Sequence, residues 1–117
     1  MSFPRRGEIY LVRFDPTVGH EIQKTRPALI IQNDVSNEYS SITIVAAITS
    51  QFGSPPRPRE VLIRPGKSGL SVASAVVLNQ IRSIDRRRLV KLLGVADVTA
   101  MRQVDRAIQI SLGLIDI

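Results

Sequence analysis

The feature that most constrains the fold is a change of hydrophobic period near Ala96. Before this point, short segments rich in β-branched and other apolar residues are separated by prolines and glycines, a pattern typical of strands joined by turns. After it, apolar residues recur every three or four positions, which is the spacing of one helical face. These residues are Val98, Met101, Val104, Ile108, Leu112 and Ile115. The sequence therefore predicts a mainly β fold, a small antiparallel barrel with a C-terminal α-helix packed on it.

Capping residues, prolines and glycines give approximate bounds for each predicted element. Asp85 is placed to cap a short turn that runs through Leu89, and Asp97 is placed to cap the terminal helix, because both carboxylates can accept free N–H groups of a first turn. The segment from Pro16 to Thr25 is polar and long enough to form a mobile loop. Strands are predicted at 7–14, 27–32, 41–49, 60–64, 74–84 and 91–95, with a proline-rich loop at 51–59.

The size of the chain predicts one domain that spans residues 1–117. A domain this small has a modest core, so we expect dimerisation to add buried surface. No apolar run is long enough to cross a bilayer, and the N-terminus lacks the pattern of a signal peptide. Cysteine is absent, which excludes disulfides and thiolate metal sites. We therefore expect a cytoplasmic protein without a membrane partner.

The formal net charge of +6 favours a polyanionic partner, either a nucleic acid or an acidic protein. The alternative is a basic surface that is merely solvated. The same choice applies to one basic cluster, which either holds RNA phosphates or an acidic peptide, or else forms a solvated turn. The cluster consists of Arg82, Arg86, Arg87, Arg88 and Lys91.

Elimination restricts the chemistry. With His20 as the only histidine and no cysteine, the chain has no His/Cys zinc site and no Cys–His nucleophile. It has neither a Gly-x-Ser-x-Gly elbow nor a phosphate-binding glycine motif, and its acidic residues are scattered, which disfavours a two-metal nuclease. An enzyme built on this chain must work with glutamate, arginine, threonine and this one histidine.

The densest polar stretch runs from Gly19 to Pro27 and contains His20, Glu21, Lys24 and Arg26. Pro27 restricts its own φ and keeps Arg26 extended at the edge of a strand. RNA transesterification requires a base near the 2′-hydroxyl and positive charge on the phosphorane, and the substrate supplies its own nucleophile. This stretch has the groups for that reaction, although a polar loop is commonly only solvated.

Four short motifs follow one another near the N-terminus: Gly7-Glu8-Ile9, Asp15-Pro16, Gly19-x-Glu21 and Arg26-Pro27-Ala28-Leu29. In order and spacing they resemble the N-terminal signature of the MazF/PemK toxin endoribonucleases. Residues 44–49, 79–85 and 104–114 are similar to that family's third core strand, its later strand-to-turn segment and its closing helix. The resemblance is collinear over nearly the whole chain.

The resemblance implies an SH3-like barrel that forms a homodimer and is restrained by an acidic antitoxin. It implies sequence-selective cutting of single-stranded RNA such as mRNA, with no metal and no cofactor. The products it implies carry a 2′,3′-cyclic phosphate and a 5′-hydroxyl.

Carried over by motif, Arg26 corresponds to the family's catalytic arginine and Thr49 to its catalytic threonine. Glu21 matches a glutamate proposed as general base in some members, and His20 is an alternative base. Asn79 departs from the pattern, because some members carry an acid there and an amide cannot act as a base. We expect the remaining substrate contacts from His20, Ser50, Gln51, Asn79, Gln80 and Arg82.

Two rival functions remain open at this stage. A topoisomerase-poisoning toxin on the same barrel would need a C-terminal Trp-Gly-Ile, whereas this chain has no tryptophan and ends in Ile115-Asp116-Ile117. A basic barrel that binds nucleic acid without cutting it is the other alternative.

Overall fold

The computed structural model describes residues 2–16, 18–21 and 24–117. Within them, every predicted strand is present with bounds within two residues of the prediction. The predicted loop between Pro16 and Thr25 includes Thr17, Ile22 and Gln23, which lie outside the described residues. The elements are β1 (Glu8–Arg13), β2 (Thr25–Ile30), α1 (Asp34–Tyr39), β3 (Ile42–Thr49), β4 (Glu60–Ile63), β5 (Ser74–Asp85), a 3₁₀ turn (Arg86–Arg88), β6 (Leu89–Val95) and α2 (Val98–Ser111).

The six strands form one antiparallel sheet in the order β4-β5-β3-β2-β1-β6. Its centre is apolar on both faces: Ala28, Leu29 and Ile30 of β2 are fully buried in succession. Because successive strand residues point to opposite faces, such a run contributes to two cores at once. The mainly β fold with a C-terminal helix is thereby confirmed.

The two faces of the sheet carry separate hydrophobic clusters. On one face, Leu29 and Ile48 pack with residues of β4, β5 and α2, including the fully buried Val104. On the other face, Phe14 and Ala47 pack with neighbours from β1, β2 and β5. The alternation of β2 and β3 therefore stabilises both layers, and each buried aliphatic side chain contributes about 1.5–3 kcal/mol.

The predicted barrel is not closed by a strand ladder: β4 and β6 are the two edges of the described sheet. A loop at residues 64–73 bridges the gap, and the N–H of Val95 in β6 donates to the carbonyl of Lys67 at 2.9 Å. Two glycines permit the close approach. A Cβ on Gly69 would lie 2.0 Å from the Leu93 carbonyl oxygen, and one on Gly94 would lie 2.1 Å from the Lys67 carbonyl oxygen.

Helix α2 begins as predicted, since the Asp97 carboxylate accepts the Ala100 N–H at 2.7 Å. Its predicted apolar stripe is partly wrong. Val98 is 69% exposed, and Leu112, which lies just beyond the helix, is 61% exposed, whereas Ala100, Val104 and Ala107 are buried. Val104 of the predicted stripe is thus joined in the contact with β4 and β5 by two alanines, Ala100 and Ala107. None of the helices in residues 2–16, 18–21 and 24–117 is long and apolar enough to span a membrane.

Helix α1 was not predicted, because it carries no apolar stripe. Its start is nevertheless marked by Asn33, whose side chain accepts the Ser36 N–H. Its anchor is polar: Asn37 is fully buried, donates to the Gln32 carbonyl at 2.9 Å and accepts the Thr43 hydroxyl at 2.7 Å. A buried amide with both functions hydrogen-bonded replaces the usual apolar contact.

The bridging loop predicts a difference between two glycines that share the same backbone conformation. Gly69 and Gly113 both have a φ of 74°, but a Cβ on Gly113 would meet nothing within 4 Å. We expect Gly113→Ala to lower the free energy of unfolding by about 1–2 kcal/mol through backbone strain alone. Gly69→Ala should cost an additional 1–3 kcal/mol, roughly, because its Cβ collides with the backbone of β6.

Urea denaturation of both variants at matched protein concentration measures this difference. Equal losses in the free energy of unfolding would show that the bridging loop shifts to accommodate the added Cβ at no cost. The close contact with β6 would then not stabilise the fold.

Candidate active site

Arg26 and Thr49 stand opposite each other at one end of the sheet, where β2 begins and β3 ends. The ladder between these strands pairs Ala28 with Ala47. Because antiparallel pairing advances by one residue on each strand, continuing this register by two residues sets Arg26 across from Thr49. Both residues line a cavity of about 510 Å³. The fold thus brings together the two residues with the strongest sequence assignment.

The remaining walls of this cavity, which we call the arginine cavity, come from three parts of the chain. Ser50 and Gln51, which follow Thr49 and are predicted as substrate contacts, are exposed at its rim. The bridging loop forms another side through residues 69–72. Ile48 of β3 and Leu93 of β6 make part of the lining apolar. The cavity therefore combines polar groups with an apolar surface.

The guanidinium of Arg26 is available to a ligand. Its side chain is exposed and makes no hydrogen bond or ion pair with any residue in the described part of the chain. Its backbone is held in the sheet opposite Val12 of β1. A fixed main chain thus presents at the cavity a guanidinium whose five N–H donors have no partner among the described residues.

Thr49 is half-buried, and its hydroxyl is oriented by the chain that follows it. Its Oγ1 accepts the backbone N–H of Gln51 at 3.0 Å, a local turn contact typical of threonine. Because this bond uses a lone pair of the oxygen, the hydroxyl proton remains available to an external acceptor. Thr49 is therefore suited to donate a hydrogen bond into the cavity.

The other predicted site residues line a second cavity, of about 380 Å³, on the same strand β3. We call it the amide cavity, since Asn79 and Gln80 contribute to it together with Ala47. The predicted site is thus divided, with Arg26, Thr49, Ser50 and Gln51 on one cavity and five residues on the other. Those five are His20, Glu21, Asn79, Gln80 and Arg82.

A bulge in β5 places the two amides. Ala46 of β3 pairs with Ile81, whereas the next residue, Ala47, pairs with Val77. Three residues of β5 therefore oppose a single step of β3, and the first of them, Leu78, is fully buried. Asn79 is exposed as a result, which is how bulges commonly re-aim side chains beside active sites.

Glu21 and His20 lie in a turn at the tip of the loop between β1 and β2. The Glu21 carboxylate accepts the Val18 N–H at 2.5 Å through Oε1, and the Glu21 N–H donates to the Val18 carbonyl at 3.2 Å. One carboxylate oxygen thus stabilises the turn. The other has no partner within the described residues, and the His20 side chain is exposed.

The basic cluster predicted as a phosphate or peptide surface is largely bonded to its own chain. Arg82 donates to the Phe14 carbonyl at 2.7 Å, and Arg88 donates to the Arg13 carbonyl at 3.0 Å. Arg87 pairs with Asp85 at 3.0 Å, and this charged hydrogen bond holds the pKa of the Asp85 carboxyl below its ordinary value. No three His, Cys, Asp or Glu side chains converge as metal ligands in residues 2–16, 18–21 and 24–117.

Residues 5–112 match the protein family described as PemK-like, MazF-like toxin of type II toxin-antitoxin system. The chain belongs to this family. It is also 43% identical over 112 residues to the endoribonuclease EndoA of Bacillus subtilis (strain 168), covering 96% of this chain and 97% of that relative. The family resemblance of the sequence motifs is therefore confirmed.

Solved structures of MazF-like proteins share the fold. MazF from Deinococcus radiodurans has a TM-score of 0.80 at 27% identity, covering 97% of this chain and 99% of that one. An endoribonuclease from a Mycobacterial species, in complex with its cognate antitoxin, has a TM-score of 0.77 at 20% identity and covers 97% of this chain and 99% of its own. The second likeness concerns the fold alone.

The wall of the arginine cavity at residues 69–72 was not predicted from the sequence of this MazF-like chain. Gly66 and Gly69 indicate turns there, but no motif assigns the segment to a site. Its place depends on the contact between the bridging loop and β6, which only the folded sheet creates.

Proposed function

We propose that this MazF-like toxin is a metal-independent endoribonuclease that cuts single-stranded RNA, mRNA included, at selected sequences. The observation that carries the proposal is the exposed Arg26 guanidinium, unpaired within the described part of the chain, opposite Thr49 on one cavity. A planar cation and a hydroxyl donor facing one another suit a phosphate that gains negative charge. The 43% identity to an endoribonuclease of the same length supports the assignment. Because mRNA is the proposed substrate, we place the activity in the cytoplasm.

The proposed reaction uses the 2′-oxygen of the RNA as nucleophile. A bond forms between this oxygen and the adjacent phosphorus, and the bond from phosphorus to the 5′-oxygen of the next nucleotide breaks. The products are a 2′,3′-cyclic phosphate and a 5′-hydroxyl. Arg26 and Thr49 stabilise the phosphorane by hydrogen bonds that strengthen as charge develops.

Two protons must move in this reaction. We propose that Glu21 accepts the proton of the 2′-hydroxyl through its unbonded carboxylate oxygen, with His20 as the alternative base, since both line the amide cavity. The guanidinium of Arg26 is a poor acid near neutral pH, so the leaving 5′-oxygen takes its proton from water or from the protonated base. Asn79 does not serve as the base.

Recognition of the RNA sequence is assigned to the polar side chains around the two cavities. Ser50 and Gln51 border the arginine cavity, and Asn79 and Gln80 border the amide cavity. Amide side chains hydrogen-bond the edges of unstacked bases, which is the usual way of reading single-stranded RNA. Arg82 adds a cation at the same place.

Removal of the Arg26 guanidinium should abolish most of the cleavage without affecting the fold. We expect Arg26→Ala to lower kcat by about 10²–10³-fold, because one oxyanion donor is lost. Arg26→Lys should also be severely impaired, since an ammonium cannot form the planar fork. Thr49→Val should also lower kcat, because the hydroxyl donor is lost. Thr49→Ser keeps a hydroxyl and should therefore be more active than Thr49→Val.

The matched control is Arg102→Ala, which removes the same charge from an exposed site on α2. Rates are measured on one RNA, with circular dichroism to verify folding. Cleavage by folded Arg26→Ala within about twofold of the control would remove Arg26 from the mechanism.

The dependence on the substrate's own hydroxyl gives a separate prediction. Full activity is expected in EDTA, and neither DNA nor RNA with a single 2′-O-methyl at the cleaved nucleotide should be cut there. Product ends are identified by mass. Loss of activity in EDTA with recovery in magnesium, or efficient cutting at the methylated nucleotide, would contradict this mechanism.

We further propose that the chain is a homodimer and that an acidic, largely disordered segment of its antitoxin binds it. The net charge of +6 supports an acidic partner, and folding on binding lets such a segment cover a large surface. The complex should weaken as salt rises. Light scattering at micromolar concentration tests the dimer, and a strictly monomeric mass would contradict it.

A further inference from the structure

Two arginines, Arg82 of β5 and Arg88 of the turn that follows it, hold the start of the loop that carries His20 and Glu21. Nη1 of Arg88 donates to the carbonyls of Arg13 and Asp15, and Nη1 of Arg82 donates to the carbonyl of Phe14. Three consecutive main-chain acceptors, beginning with the last residue of β1, are thereby satisfied by two side chains from a distant part of the sequence. The Arg82 guanidinium also lies over the Phe14 ring, 5.7 Å from its centroid.

The same point is the neck of the loop, where its two ends meet. The Phe14 N–H donates to the Lys24 carbonyl at 2.8 Å, and the Lys24 N–H donates to Asp15 Oδ1 at 3.0 Å. Lys24 has a φ of 65°, a left-handed conformation that is uncommon for a residue with a side chain. The hydrogen bonds on both sides of the neck therefore hold a backbone that would not adopt this shape unaided.

Beyond the neck, the described residues 18–21 are exposed. Hydrogen bonds within the Val18–Glu21 turn shape this tip. The contacts at the neck fix the direction in which the loop leaves the sheet.

We propose that Arg88, assisted by Arg82, is a positioning residue that sets the placement of His20 and Glu21 against the amide cavity. This inference rests on the proposed function, in which these two side chains are candidate bases. A guanidinium suits the task, since the two N–H bonds of Arg88 Nη1 are held in a rigid plane and donate to the carbonyls of Arg13 and Asp15 together. Arg88 acts through the loop main chain and not on the RNA.

The surroundings of Arg88 favour this role over phosphate binding. Its side chain is half-buried and lines neither the arginine cavity nor the amide cavity. The side chain of Arg87, the residue before Arg88, is by contrast 90% exposed and pairs only with Asp85 among the described residues. Arg87 and Arg88 carry the same charge, but Arg88 donates to loop carbonyls and Arg87 pairs with Asp85. A variant of Arg87 is therefore a matched control for a variant of Arg88.

The test compares Arg88→Met with Arg87→Met, which lowers the net charge equally. Three quantities are measured: amide hydrogen exchange of residues 13–24, kcat and KM for RNA cleavage, and the salt dependence of binding to a fully 2′-O-methylated copy of a cleaved RNA. Melting temperatures verify that the variants are folded. Arg88→Lys, which keeps the charge and loses the fork, is the second variant in case Arg88→Met does not fold.

We expect exchange in residues 13–24 to be at least tenfold faster in Arg88→Met, with exchange in β3 and β5 unchanged. kcat should fall by tenfold or more while KM changes little, and Arg87→Met should stay within twofold of the wild type in all three measurements. The slope of log affinity against log salt should be unchanged in Arg88→Met. Arg88→Lys should lie between the wild type and Arg88→Met in exchange and in kcat.

A salt slope smaller by about 0.7 with unchanged loop exchange would overturn the proposal, because it would make Arg88 a phosphate contact. Unchanged hydrogen exchange and unchanged kcat in Arg88→Met would overturn the proposal as well. An Arg88→Lys variant with the same exchange and the same kcat as the wild type would also overturn it. Failure of the proposed function gives a different result: the wild-type protein would not cut RNA, while the exchange measurement would still report whether Arg88 holds the loop.

Discussion

The register between β2 and β3 is the constraint on which the rest of the structure depends. It joins the centre of the sheet, where Ala28 pairs with Ala47, to the site, where the same register sets Arg26 opposite Thr49. A shift by one residue would exchange the two faces of β2, moving Leu29 and Ile30 to the wrong cores and Arg26 away from Thr49. The apolar residues that stabilise the two layers therefore also specify the geometry of the site. Stability and the geometry of the proposed site therefore depend on one strand register in this part of the molecule.

The bridging loop at residues 64–73 links the packing of the fold to the geometry of the candidate site on the open side of the sheet as well. It fills the gap between β4 and β6, where a strand ladder would otherwise close a barrel, and it forms one wall of the arginine cavity. Gly69 and Gly94 allow this wall to approach β6 at a distance that no side chain permits. Arg82 of β5 and Arg88 of the turn that follows it hold the start of the loop between β1 and β2 in a similar way. Two loops that border the candidate site are thus fastened by hydrogen bonds to main-chain carbonyls, together with the buried side chains of Leu70 and Phe14.

Local pattern determined most of what the sequence could predict. The alternation and punctuation of the strands gave the six β elements, and the carboxylates of Asp85 and Asp97 marked the caps of the turn and of α2. Helix α1 was not predicted because its buried residue, Asn37, is polar and gives no apolar helical pattern. Val98 and Leu112 fit the helical period but are exposed, whereas Val104 of the same stripe is buried together with Ala100 and Ala107. The division of the site between two cavities depends on a bulge in β5, which follows from the pairing of distant strands and leaves no local signal.

The central claim is that one phosphate of the RNA sits between Arg26 and Thr49. A structure of the protein bound to an RNA with a 2′-deoxy substitution at the cleaved nucleotide tests it most directly, since binding proceeds and the nucleophile is absent. We expect the scissile phosphate in the arginine cavity, with oxygens within about 3.2 Å of the Arg26 guanidinium and of Thr49 Oγ1. A scissile phosphate bound instead at the arginines of the β5–β6 turn, such as the exposed Arg87, with Arg26 and Thr49 uncontacted, would contradict the account.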